Sequence, residues 1–108
     1  MNEKRQQLRD LVDAKSLKRG DFTLASGAKS KFYFNMKETL FDPEGATLIA
    51  DLILDEIAAD DADFVGGLEM GAVPIAACVA MRSAQRAAPL RGFYIRKQAK
   101  DHGVGKRI

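Results

Sequence analysis

Phe64-Val65-Gly66-Gly67-Leu68-Glu69-Met70-Gly71 decides how this chain folds. The first five residues form an apolar run of strand length that reads as a buried strand, and Glu69, Met70 and Gly71 break it into a loop. Ala72 to Arg86 follows, alanine-rich and apolar enough for a packed helix, with Pro74 tolerated in its first turn. Pro89 closes that helix, and Leu90 to Ile95 reads as the next strand. Strand, helix and strand in this order imply a βαβ unit, hence a parallel sheet with a right-handed crossover.

Toward the N-terminus, Asp42-Pro43-Glu44 carries the signature of a helix start: a capping acid, a proline in the first turn and a second acid near the positive end of the dipole. Leu48, Ile49, Leu52, Ile53 and Ile57 give that helix a clear buried stripe. Phe22-Thr23-Leu24 and Lys31-Phe32-Tyr33-Phe34-Asn35 read as short strands, joined by Ser26–Ser30, where Gly27 can take positive φ. Gln6 to Lys15 spaces Leu8, Leu11 and Val12 as an amphipathic helix, and Gly20 ends that region. The order is helix, hairpin, helix, strand, helix, strand, without repeat or low-complexity linker. A sheet with so few core strands is unfinished, so the pattern matches the front half of a larger α/β domain.

The second strand leads into Arg96-Lys97-Gln98-Ala99-Lys100-Asp101-His102-Gly103-Val104-Gly105-Lys106. Cations gathered at a strand exit, on a glycine-bearing stretch able to close over a ligand, suit a polyphosphate better than a single carboxylate. The plain alternative is a solvated turn. Gly66 to Gly71 lies before a helix N-terminus, where backbone amides can meet a phosphate; the alternative is a βα turn needing glycine for its φ angles. Of the adjacent rings Tyr33 and Phe34, one can face the core and the other a planar ligand. His102 fits either a general acid/base or a phosphate donor. With no second histidine and one cysteine, the chain offers no metal-ligand set of its own, and Cys78 reads as packing.

The net charge of +2 over 108 residues argues against a general nucleic-acid binder. One cysteine gives no disulfide framework and points to a reducing cytoplasm. No apolar run is long enough to span a bilayer, so no membrane partner is expected.

In order along the chain, Gly20-Asp21-Phe22-Thr23-Leu24-Ala25-Ser26-Gly27-Ala28-Lys29-Ser30, Lys31-Phe32-Tyr33-Phe34-Asn35, Val65 to Pro74, and Arg96-Lys97-Gln98-Ala99-Lys100-Asp101-His102-Gly103 resemble the orotate phosphoribosyltransferases, type I phosphoribosyltransferases of pyrimidine biosynthesis. The Arg-Lys-x-x-Lys-x-His-Gly stretch is the most specific element of the resemblance. It implies an α/β fold: a parallel sheet flanked by helices, with an N-terminal helix and β-hairpin hood over residues 1–40 and the first part of the core over 41–108.

It also implies transfer of a phosphoribosyl group from phosphoribosyl pyrophosphate to orotate, with Mg2+ carried on the pyrophosphate. Arg96, Lys97, Lys100 and His102 match the family's pyrophosphate-binding residues, with Lys100 and His102 on its catalytic loop. Glu69, Met70 and Gly71 match its phosphate-contacting loop, and Tyr33 and Phe34 its orotate-lining pair. A homodimer is implied, the stretch 98–106 acting across the interface. Ala25 stands where many bacterial members carry a lysine. The family's apolar strand ending in paired acids, followed by a Thr/Gly-rich phosphate loop, has no match here. The expectation is therefore an N-terminal half, inactive alone, with that motif just past Ile108. The competing readings are a regulatory relative that binds a nucleotide and a small nucleic-acid module using the basic loop.

Overall fold

Residues 2–98 are described by the computed structural model. The chain divides into two units, Met1–Leu48 and Ile49–Ile108.

In the first unit, helix α1 (Glu3–Leu11) starts at Asn2, whose side chain accepts the Arg5 amide at 2.8 Å. Leu8, Leu11 and Val12 are half-buried as their spacing predicts, but no residue of α1 is fully buried. The helix widens into a π-helical turn over Val12–Ser16 that ends on the completely buried Ser16. Strand β1 (Leu17–Thr23) begins there. It therefore starts before the expected Phe22 and runs through Gly20, where the register shifts between Arg19 and Phe22. A bulge lets a strand continue through a residue that sequence reading takes as a stop.

Strand β2 (Lys29–Phe34) pairs antiparallel with β1, Leu17 opposite Phe34 and Thr23 opposite Lys29. Gly27 turns the hairpin at φ 87°, with the Leu24 amide donating to Ala28 at 2.8 Å. A short helix not foreseen from the sequence, α2 (Lys37–Leu40), buries Thr39, whose hydroxyl meets that of Ser16. Gly45, near the start of α3 (Pro43–Ile57), packs directly on the Thr39 carbonyl. Asp42 caps α3 as expected, accepting the Gly45 amide at 2.9 Å.

In the second unit, β3 (Phe64–Leu68) and β4 (Arg91–Ile95) pair in parallel, Phe64 beside Arg91 and Leu68 beside Ile95. Helix α4 (Ala72–Gln85) makes the crossover and packs on both strands. The expected βαβ unit is present. Its core is Ala50 and Leu54 of α3 with Val79 of α4; Ile53, Ile57, Val65, Ile75, Cys78 and Leu90 pack around them. Leu54 alone contributes about 1.5–3 kcal/mol by leaving water.

Two expectations need correction. Along α3 the most deeply buried positions are Leu48, Ala50, Asp51 and Leu54, while Ile49, Leu52, Ile53 and Ile57 are half-buried. Small Ala50 lies in the core with Leu54 and Val79, and the buried Asp51 is neutralised by Arg82 and Arg86. The strand expected to be buried, β3, leaves Phe64 61% and Leu68 58% exposed. Alternation explains the split. Val65 packs into the core, and a Cβ on Gly67 would meet Ala72 of α4 at 2.9 Å, so Phe64 and Leu68 project to the opposite face.

No helix among the described residues is long and apolar enough to cross a membrane.

Candidate functional site

Because β3 and β4 run in parallel, both deliver their carboxyl ends to one edge of the sheet. In open α/β sheets that edge is where ligands bind. Glu69, Met70 and Gly71 leave β3 there, and Arg96 and Lys97 leave β4. Two hydrogen bonds tie these segments together. The Glu69 amide donates to the Ile95 carbonyl at 2.9 Å, and the Lys97 amide donates to Glu69 Oε1, also at 2.9 Å.

The Arg96 guanidinium lies 5.7 Å from the centre of the Tyr94 ring, and its Nη2 reaches the Tyr94 hydroxyl at 3.4 Å. A cation over an aromatic face is held in orientation. Met70 is 72% exposed, its carbonyl accepts the Val73 amide at 3.0 Å, and its peptide bond with Glu69 is cis.

The glycines of this stretch have separate roles. Gly66 and Gly67 lie inside β3, paired with Phe93 and Tyr94. A Cβ at Gly66 would come 2.5 Å from the Phe93 carbonyl oxygen and 2.7 Å from its ring. Packing alone therefore demands glycine at Gly66, and the phosphate reading does not extend to it. Gly71 differs: a Cβ there would meet nothing within 4 Å, so the fold leaves open space beside the start of α4.

The structure thus gathers Glu69, Met70, Gly71, Arg96 and Lys97 at one sheet end. Lys100 and His102 lie outside the described residues. Tyr33 and Phe34 belong to the other unit. Neither ring is buried: Tyr33 is 45% and Phe34 56% exposed, so the expectation that one faces a core fails. Tyr33 packs on Phe22, ring centres 5.7 Å apart. Sequence reading missed Tyr94 and Phe22 as the groups that orient Arg96 and Tyr33. Strand alternation could have found Tyr94, two residues before Arg96 on the same face.

No protein-family model matches the chain. An orotate phosphoribosyltransferase of Rhodopseudomonas palustris is 50% identical over 100 residues, 93% of this chain and 54% of that protein. A crystal structure of Mycobacterium tuberculosis orotate phosphoribosyltransferase with Fe(III) dicitrate matches at TM-score 0.77 and 31% identity, covering 96% of this chain and 58% of that one. The chain is similar to orotate phosphoribosyltransferases over nearly all of its own length. It spans about half the length of the relatives it matches. The M. tuberculosis orotate phosphoribosyltransferase is also known with 5-phospho-alpha-D-ribosyl 1-diphosphate bound, matching here at TM-score 0.73 and 29% identity over 94% of this chain and 58% of that one. The orotate phosphoribosyltransferase resemblance of the sequence and the α/β fold it implies are both borne out.

Proposed function

We propose that the protein transfers the phosphoribosyl group of phosphoribosyl pyrophosphate to orotate, releasing pyrophosphate and forming orotidine 5′-phosphate. The bond from the ribose carbon to pyrophosphate breaks with its electron pair passing to oxygen, and a bond to an orotate ring nitrogen forms as that nitrogen gives up its proton. A reaction of this kind needs positioning and stabilisation of the leaving charge.

The observation that carries this reading is the clamp at the sheet end, where Arg96 and Lys97 are tethered beside the Glu69–Gly71 loop. In this assignment Arg96, Lys97 and the Glu69–Gly71 loop bind pyrophosphate, Lys100 and His102 complete that site as the catalytic pair, and Tyr33 and Phe34 stack on orotate. The exposure of both rings and the bound phosphoribosyl pyrophosphate of the M. tuberculosis relative support it.

Among the described residues no three carboxylate, histidine or cysteine side chains converge on a metal position. The proposal includes a Mg2+ ion carried on the phosphate oxygens of the substrate, where it would neutralise charge on the leaving pyrophosphate. A cytoplasmic homodimer, with the stretch 98–106 reaching the partner's site, completes the proposal.

Calorimetric titration with phosphoribosyl pyrophosphate and Mg2+, followed by an orotate-consumption assay of the complete enzyme, tests it. Saturable binding that pyrophosphate competes away is expected. Binding of single-stranded RNA with a steep salt dependence, and none of phosphoribosyl pyrophosphate, would overturn it.

A further inference from the structure

We infer that Glu69 is a positioning residue: its side chain, by accepting the Lys97 amide, fixes the exit of β4 and thereby the affinity of Arg96 and Lys97 for a pyrophosphate-class anion. The inference rests on the anion-site reading above and changes the part Glu69 plays in it, from contacting the ligand to shaping the segment that does.

Leu68 and Ile95 are the last paired residues of the parallel sheet, and the Glu69 amide makes one more bond, to the Ile95 carbonyl. After Glu69 the chain turns away through Met70 and Gly71 into α4. No further β3 carbonyl is therefore in place for the next amide of the other strand. The Glu69 carboxylate stands in for it, taking the Lys97 amide at 2.9 Å. Glu69 thus anchors the residues on both sides of Arg96, while Tyr94 orients the guanidinium.

The chemistry favours this part over direct contact. A carboxylate beside a polyanion is repelled by it, whereas one whose oxygen is engaged by a backbone amide contributes a charge-assisted bond and structure. Reach matters as much as charge. Glutamine offers a carbonyl oxygen at the same distance from the backbone, aspartate keeps the charge but is one methylene short, and alanine offers nothing.

The test compares the full chain with Glu69→Gln, Glu69→Asp and Glu69→Ala in two measurements. One is hydrogen exchange of the Lys97 amide without ligand; the other is calorimetric titration with inorganic pyrophosphate, with and without Mg2+. In Glu69→Ala and Glu69→Asp the Lys97 amide should exchange about tenfold faster, the factor one hydrogen bond to a charged group is worth, and pyrophosphate binding should weaken by about the same factor. Glu69→Gln should recover most of both losses. Lys97 exchange that is unchanged in Glu69→Ala overturns the inference. So does Glu69→Asp binding pyrophosphate better than Glu69→Gln, especially if only with Mg2+, since the charge would then act directly as a metal ligand. If exchange follows the expected order but no variant, nor the parent chain, binds pyrophosphate, the anion-site reading fails and the coupling of Glu69 to affinity fails with it, while the tether itself stands.

Discussion

Asp51 on α3 is held by Arg82 on α4, whose Nε lies 2.8 Å from Asp51 Oδ1. Arg86 reaches the same carboxylate at 3.3 Å and extends to Asp55 at 2.7 Å. These pairs fasten two helices whose shared apolar core is small. Asp55 first, and Asp51 after it, hold the Arg86 guanidinium pKa above its ordinary value, against the opposing effect of desolvation.

Removing the shared carboxylate takes an ion-pair partner from both arginines, while Arg86 keeps Asp55. A fully buried pair broken in this way costs about 3–5 kcal/mol, but both arginines are about one-third exposed, so Asp51→Ala should destabilise by about 2 kcal/mol. Urea unfolding would register this as a lower midpoint with an unchanged slope. A midpoint equal to that of the parent would count against the network.

Gly45→Ala sets two effects against each other. Helix propensity favours alanine by at most about 1 kcal/mol. The added methyl would strike the Thr39 carbonyl, a main-chain atom that cannot swing aside, and overpacking of that kind costs about 1–3 kcal/mol. The steric term should win, and thermal unfolding followed by circular dichroism should show a lower Tm. A raised Tm would reverse the reading.

Gly66→Ala and Gly71→Ala should part company. The first forces a methyl into Phe93 and should lower stability by about 1–3 kcal/mol. The second meets nothing within 4 Å among the described residues, so Tm should hold while pyrophosphate binding weakens in titration. Normal binding by Gly71→Ala would remove this loop from the anion site.

Acid should loosen the start of α3. The Gly45 amide, aided by Lys15, holds the Asp42 carboxyl below its ordinary pKa of 3.8. A lowered folded-state pKa means the stabilisation is present above the unfolded value and is lost as pH falls through the folded one. Asp42→Asn, which keeps an acceptor without the titration, should flatten the stability profile below about pH 4. An unchanged profile would show that other carboxyls carry the acid sensitivity.

In the complete enzyme, Lys100→Ala should mainly lower kcat and Phe34→Ala mainly weaken orotate binding, by about tenfold for one lost stacking partner. Phe34 is 56% exposed, so its removal should barely move Tm. Equal losses of kcat and KM in both variants would undo this division of roles.

The elements most legible in the sequence were those whose signals are local. Asp42-Pro43 marks a helix start because cap and first turn are decided within four residues. Phe64–Leu68 and the Arg91–Ile95 strand stand out as short apolar runs bounded by breakers. The beginning of β1 was not legible, because Leu17-Lys18-Arg19 lacks alternation and owes its strand form to pairing with Phe32, Tyr33 and Phe34. Nor was α2, a four-residue turn fixed by burial of Thr39 against Ser16. The left-handed Ala87, at φ 59°, carries no glycine signal; its place is set by the Ala87 amide bonding to Ala84 and the Ala88 amide to Ser83 as α4 ends.

By itself the sequence determined the order of elements, the βαβ unit, the hairpin turn and the collection of cations after the last strand, since each follows from periodicity, capping and charge among near neighbours. Tertiary structure alone decided which glycines are packing and which face open space, and that Glu69, 28 positions from Lys97, takes its amide. Those relations depend on the register of β3 against β4, a distance set by pairing between strands that no local pattern encodes.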